Sequence, residues 1–247
     1  TLGCMKNIND SQQAGAILES FGHKIIDNPS DADIIIVNTC GFIDDAKRES
    51  IDRILSMARI KDTNKKRKLV VSGCLSQRYV EELTEEMPEV DCFVGVNEYE
   101  KLPQILERVY DGERISIARA YDHGPLKHFE RKLPENPYSM HIKIAEGCNN
   151  GCAYCIIPKI RGPFRSLPIE DIIEEAKKLA KAGCKELVLI AQDLTYYGKD
   201  LYGDFVLPDL LRQLCKVEGI KWIRLMYCYQ ERITDELIDV LASEEKI

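Results

Sequence analysis

No run of apolar residues in this 247-residue chain is long enough to span a bilayer as a helix, and no secretory signal opens it. Positive charge is not in excess either. The 34 Lys and Arg against 41 Asp and Glu leave a net charge of -7, which argues against reliance on broad electrostatic attraction to nucleic acid. The four histidines, His23, His123, His128 and His141, show no ligand spacing, and no second C-x2-C knuckle or cysteine-histidine pair is present. These absences weigh against a helical membrane protein, a secreted disulfide framework and a zinc knuckle. The expected location is the cytoplasm. Thr1 in place of Met, running straight into Leu2-Gly3-Cys4, and a last residue just after a charged helix suggest that both ends lie within a longer protein.

What the chain does have is cysteine, ten in all, and in a reducing compartment metal-bound thiolates are the better reading. Three of them stand at C-x3-C-x2-C spacing in Glu146-Gly147-Cys148-Asn149-Asn150-Gly151-Cys152-Ala153-Tyr154-Cys155. Thiolates are the usual ligands of iron-sulfur clusters, and a cube of four irons normally takes four. Only three are local here, so one iron is left for a substrate or cofactor. The intervening Asn, Gly and Ala are small or tolerate left-handed backbone, which lets the loop curl round a cube. A structural zinc site is the alternative, but it would close with four ligands.

The first half reads as alternating strands and helices. Continuous apolar runs at Asp33 to Val37, Lys68 to Val71 and Cys92 to Val96 predict buried strands. Helical spacing before Gly22, after Asp44 or Asp45, over Val80 to Met87 and over Leu102 to Tyr110 predicts the helices between them. The expectation is a doubly wound parallel-sheet α/β domain over residues 1–117. Cys4, Cys40 and Cys74 each follow a predicted strand and precede a helix, at the carboxyl edge where ligands bind in open α/β sheets. Three thiolates distant in sequence can meet there around one cluster, with Gly3, Gly41 and Gly73 allowing close approach. The alternative is three buried cysteines acting as small hydrophobes.

Residues 118–140, with His123, Gly124, Pro125, Pro134 and Pro137, predict a connector. The second domain, 141–247, opens with a strand over 141–146 and the cysteine loop. A helix from Pro168 to Ala182, a strand Leu187 to Ala191, a helix Leu207 to Val217 and a strand Trp222 to Met226 follow. That order suggests a parallel β/α barrel, of which only about three units fit.

With both triplets in view, the chain resembles the radical S-adenosylmethionine (SAM) methylthiotransferase family over essentially its whole length. The resemblance implies an N-terminal domain with an auxiliary 4Fe-4S cluster on Cys4, Cys40 and Cys74, then a radical SAM β/α barrel whose cluster sits on Cys148, Cys152 and Cys155. A small C-terminal TRAM domain is absent from this sequence. Within the family, Asn38 to Lys47, Glu49 to Asp52, Lys143 to Cys148, Ile156 to Ser166 and Ala191-Gln192-Asp193 look like the branch that methylthiolates an aspartate of ribosomal protein S-twelve. The tRNA-adenosine, MiaB-like branch and a non-catalytic iron-sulfur electron carrier are the alternatives. Gly151 and Ala153, where the family often has Arg and Thr, and Gln13, where it often has Glu, are the departures.

By the same resemblance, the cluster on Cys148, Cys152 and Cys155 reduces SAM to a 5′-deoxyadenosyl radical, which takes a hydrogen from the aspartate β-carbon. The auxiliary cluster holds the sulfur, methylated by a second SAM. Tyr154 and Gln192 are the expected SAM contacts, a flavodoxin or ferredoxin the electron donor, and the ribosomal protein the partner. Cys92, Cys184, Cys215 and Cys228 have no spacing partner and read as core, as do Phe42, Phe164 and Tyr197. Lys65-Lys66-Arg67-Lys68 reads as a solvated connection, with RNA contact the other reading.

Overall fold

The computed structural model describes residues 1–121 and 124–247, so His123 of the connector lies outside the described residues. It divides into two compact units. The first runs from Thr1 into the connector and takes in Phe129–Lys132 and Lys159–Arg161; the second holds the rest of the connector, Leu133–Pro158 and Gly162–Ile247.

The first unit is a four-stranded parallel sheet of β1 (Ile34–Thr39), β2 (Lys68–Gly73), β3 (Cys92–Val94) and β4 (Ile115–Ile117), in that order. Around it lie α1 (Met5–Ser20), α2 (Asp44–Asp62), α3 (Cys74–Glu86) and α4 (Leu102–Tyr110). Alternate strand residues point to opposite faces, so β1, β2 and β3 each feed two cores. Ile35, Val37, Leu69, Val71 and Phe93 pack with Ile54, Met57 and Ala58 of α2 and with Leu75 and Leu83 of α3. Val70, Cys92, Val94 and Ile115 face the other way and pack with Ala14 and Leu18 of α1 and with Ile105, Leu106 and Val109 of α4. Burial on both faces explains why these strands read as continuous apolar runs. α2 carries Asp44 and Asp45 in its first turn and Arg59 and Lys61 in its last, matching the helix dipole at both ends.

Three expectations change in this unit. No strand precedes Cys4: residues 1–3 are irregular and Cys4 leads straight into α1. The helix expected from Val80 starts six residues earlier, at Cys74, because Tyr79 is non-helical (φ −134°, ψ 34°) and interrupts the periodic pattern. The basic run Lys65–Lys68 is not uniformly solvated. Arg67 is buried, and its guanidinium donates to Ala32 O at 2.8 Å, Ile60 O at 2.7 Å, Thr63 Oγ1 at 3.0 Å and also to Ser30 O. It staples the end of α2 to the start of β1.

The second unit has a three-stranded parallel sheet in the order β5 (Ser139–Lys143), β8 (Glu186–Ile190), β9 (Trp222–Leu225). A two-residue antiparallel pair, β6 (Ala145–Glu146) with β7 (Arg165–Ser166), closes a loop; the short α5 (Ile157–Arg161) lies between them in sequence, its Lys159–Arg161 belonging to the first unit. The longer helices are α6 (Ile169–Lys181), α7 (Leu207–Cys215) and α8 (Asp235–Ser243). Their apolar stripes, including Ile172, Ala176 and Leu179 of α6 and Leu210, Leu211 and Leu214 of α7, cover Ile142, Leu187, Leu189 and Ile223 of the sheet. Strand, helix, strand, helix, strand, helix in one direction is a partial β/α barrel. Among the described residues no helix is long and apolar enough to cross a membrane.

Candidate functional site

In the first unit Cys4, Cys40 and Cys74 come to one edge of the sheet. Thr39 and Gly73 are register partners at the ends of β1 and β2, so Cys40 and Cys74 begin adjacent segments. Cys4 is the N-cap residue of α1, and Leu2 N donates to Asn38 O at 2.9 Å, which holds this segment beside β1. The approach is close enough to need glycine. A Cβ on Gly3 would lie 2.6 Å from Cys40 Cβ and 3.0 Å from its Sγ, and one on Gly41 would lie 2.8 Å from Leu75 Cα. Gly73 has φ +99°, and a Cβ there would run into Asn38 Oδ1 and stand 2.5 Å from Thr39 O.

Side chains then lock the loops. Ser50 of α2 donates to Cys40 O and accepts from Cys40 N, both at 3.1 Å. Asn7 of α1 donates to Leu2 O at 3.0 Å and to Thr39 O at 2.9 Å. Arg161 donates to Asp10 Oδ2 at 2.7 Å, Asn7 Oδ1 at 2.8 Å and Cys74 Sγ at 3.2 Å. Burial pushes the Cys40 and Cys74 thiols up, the nearby Cys4 sulfur raises both further, and the Arg161 charge works against burial at both. The two buried sulfurs, Cys40 and Cys74, thus feel the same neighbouring charges, those of Cys4 and Arg161.

In the second unit the triplet is local, at the carboxyl end of β5. Gly147 has φ +79°, and a Cβ on it would collide with Pro163 O and stand 2.6 Å from Gly162 O. Cys148 N donates to Gly162 O at 3.1 Å, Cys155 N to Cys152 O at 3.0 Å, and Phe164 N to Asn149 Oδ1 at 2.9 Å. Asn150 N points at Cys148 Sγ, 3.4 Å away. Burial pushes the Cys148 thiol up, the Asn150 N–H pulls it down, and Asp193, Cys155 and Cys152 raise it.

A polar latch fixes the loop from outside. Asn150 Nδ2 donates to Asp193 Oδ2 at 3.0 Å, while Arg232 donates to Asp193 Oδ2 at 2.7 Å and to Asn150 Oδ1 at 2.8 Å. The Arg232 guanidinium lies 5.2 Å from the Tyr196 ring centre and 5.0 Å from that of Tyr229, within cation–π range. Of the two residues expected to touch SAM, Gln192 donates to Glu146 Oε1 at 3.1 Å beneath the loop, and Glu146 also pairs with Lys143 at 3.3 Å. Tyr154 is 88% exposed.

Among the described residues no three Cys, His, Asp or Glu side chains close around a single metal ion. A cube of four irons makes a different demand, with one sulfur per iron at separate corners and small residues leaving room. Each triplet offers three thiols at the open end of a parallel sheet, flanked by glycines, which is the kind of donor set such a cube takes. The remaining cysteines separate: Cys92, Cys184 and Cys215 are buried as read from sequence, but Cys228 is exposed. Phe42 is likewise exposed, whereas Phe164 and Tyr197 are core.

Sequence reasoning missed Arg161, Asp10, Asn7, Asn150, Asp193 and Arg232 as supports for the thiols. Nothing in their spacing singled them out: Asn7 and Asp10 lie early in α1, Arg161 ends α5, Asn150 is in the cysteine loop, Asp193 precedes one short helical turn and Arg232 ends another.

Compared with known proteins, residues 1–95 match the family described as "Uncharacterized protein family UPF0004", and residues 142–245 match the radical SAM superfamily. The chain is 49% identical over 247 residues to a protein of Lachnoclostridium phytofermentans named "Ribosomal protein uS12 methylthiotransferase RimO", covering 100% of this chain and 56% of that one. A protein of the same name from Clostridium tetani is 50% identical over 247 residues, with 100% of this chain and 55% of the relative covered. The chain therefore spans a little over half the length of these curated relatives. Among solved structures, the radical SAM methyltransferase TsrM of Kitasatospora setae superposes with a TM-score of 0.61 at 14% identity, over 95% of this chain and 50% of that chain. The cobalamin-dependent SAM radical enzyme OxsB gives 0.53 at 15% identity, over 87% and 35%. At such identities the likeness is one of fold.

Proposed function

Because this chain belongs to the radical SAM methylthiotransferase family, we propose that it replaces a hydrogen on the β-carbon of an aspartate in ribosomal protein S-twelve with a methylthio group. The observation that carries the reading is the pairing of near-50% identity along the whole chain with two thiol triplets at the carboxyl edges of two parallel sheets. An unactivated C–H bond does not exchange hydrogen for sulfur by acid–base steps at neutral pH; SAM and two 4Fe-4S clusters, when bound, supply the one-electron, sulfur and methyl chemistry.

The chain's own residues bind and orient. Cys148, Cys152 and Cys155 are the proposed ligands of the catalytic cluster, held by the Asn150–Asp193–Arg232 latch. Gln192, fixed against Glu146, is the proposed contact for a polar group of SAM, and Tyr154 is free to pack on it once it binds. Cys4, Cys40 and Cys74 are the proposed ligands of the auxiliary cluster. The working division is a methylthiotransferase domain at 1–117, a connector at 118–140 and a radical SAM domain at 141–247. A ribosomal protein substrate implies action in the cytoplasm, and a flavodoxin or ferredoxin is the proposed electron donor.

The test is anaerobic reconstitution followed by reduction with SAM and ribosomes. The expected results are about eight irons per chain, falling to about four in Cys148/Cys152/Cys155→Ala, 5′-deoxyadenosine release, and a methylthiolated S-twelve peptide. A modified tRNA adenosine with an unmodified peptide would transfer the chain to the tRNA branch. Iron uptake without SAM cleavage would leave an electron carrier.

A further inference from the structure

Two buried arginines in the first unit solve the same problem differently. Arg67 spends its donors on three backbone carbonyls and one hydroxyl, which is how a guanidinium cements a fold. Arg161 is 3% exposed and places its donors on a carboxylate, an amide oxygen and a cysteine sulfur. Asp10, its carboxylate partner, is 2% exposed. Asn7 is already committed through its NH2 group to Leu2 O and Thr39 O, so its oxygen is held facing the guanidinium. The fork is therefore aimed before any ligand arrives. A buried ion pair adds little net stability for its desolvation, so its position against a sulfur calls for another role.

We propose that Arg161 is a positioning residue for the cluster on Cys4, Cys40 and Cys74, donating a hydrogen bond to the Cys74 sulfur and setting the reduction potential of that cluster, with Asp10 limiting how much positive charge the sulfur feels. The inference rests on the reading that these three cysteines hold a cluster. Adding an electron makes a cluster more negative, and a donor or cation at a ligating sulfur stabilises the reduced state, so the potential rises. Removing the cation lowers it. Neutralising Asp10 while keeping its shape exposes the sulfur to more of the Arg161 charge and raises it.

The experiment uses the full chain with Cys148, Cys152 and Cys155 replaced by Ala, so that a single cluster is titrated. Iron is counted, and the midpoint potential is read from the reduced-cluster EPR signal in this parent, in R161Q and in D10N. The expected result is about four irons in the parent, a more negative midpoint with several-fold faster iron loss to a chelator in R161Q, and a more positive midpoint in D10N. A purely structural pair predicts the same sign of effect from both substitutions, because both break one contact. Iron bound normally with unchanged or same-signed midpoints overturns the inference. If R161Q takes up no iron, D10N alone decides, and a midpoint at or below that of the parent overturns the inference. A parent that binds no iron fails the cluster reading itself, a separate outcome.

Discussion

The two cysteine triplets are assembled by opposite routes. In the second unit all three sulfurs lie within one loop, and what holds them is that loop's own hydrogen bonds plus one latch to Asp193 and Arg232. In the first unit they sit at positions 4, 40 and 74, and only the pairing of β1 with β2 and the docking of α1 bring them together. A local site can therefore fail without its domain; a distributed site shares the fate of its sheet.

The sharpest way to break this comparison is a methyl group. Gly73→Ala places a Cβ against Asn38 and Thr39 at positive φ, where backbone strain alone costs about 1–2 kcal/mol. With the clash added, we expect a loss of roughly 3 kcal/mol or more, read as a lower urea midpoint together with loss of first-unit iron. Gly147→Ala meets Pro163 and Gly162 just as tightly, yet should cost mainly second-unit iron while the first-unit cluster persists. Gly151→Ala, with nothing within 4 Å of its Cβ, should change neither iron count, and its stability should stay within about 0.5 kcal/mol. Equal behaviour of Gly73→Ala and Gly147→Ala would erase the distinction.

Next in size is Arg232→Ala. It leaves Asp193, 2% exposed, without its guanidinium, and Asn150 Oδ1 loses the donor it accepts from. Arg232 is itself a quarter exposed, so the cost should be about 2 kcal/mol, below that of a fully buried pair. Faster iron release from the second site alone, followed by chelation, is the expected readout.

The last effect is confined to alkaline pH and vanishes at neutral pH. Burial, then the Asp91 charge, pushes the Cys92 thiol up to about 12 from 9.0. Below about pH 9 both folded and unfolded chains keep this proton; between about 9 and 12 only the folded chain does, so stability falls there by about 1.4 kcal/mol per pH unit. Cys92→Ser removes that titration, and a denaturation series at pH 8 to 11 should show a shallower alkaline slope for the first unit. An unchanged slope would locate the sensitivity elsewhere, with Tyr99, whose phenol burial also holds up, the next group to replace.

How much of this was legible followed physical range. The apolar runs Asp33 to Val37 and Lys68 to Val71 announced β1 and β2 because both faces are buried, and C-x3-C-x2-C announced its loop because the cysteines are neighbours. Cys40 and Cys74 were legible through a shared address at strand ends, whereas Cys4, read at the same address, stands at the N-cap of α1 with no strand before it. Arg161, Arg232 and Arg67 were not legible, since a buried arginine carries the same letter as a solvated one and its partners are set by tertiary packing. The start of α3 was hidden for a local reason: the break at Tyr79 shifts the helical phase.

One detail of the second unit bears on how a lost cluster can return. The β6–β7 pair and the Cys148 N to Gly162 O bond pin both ends of the cysteine loop before anything is bound. Closing a loop of roughly fifteen residues costs about 2.4 kcal/mol of chain entropy, and here strand pairing has already met it. An emptied loop is then a tethered ring rather than a loose segment. Reloading it is a matter of local reordering, so repair after oxidative loss of iron at this site can proceed without refolding the sheet that carries it.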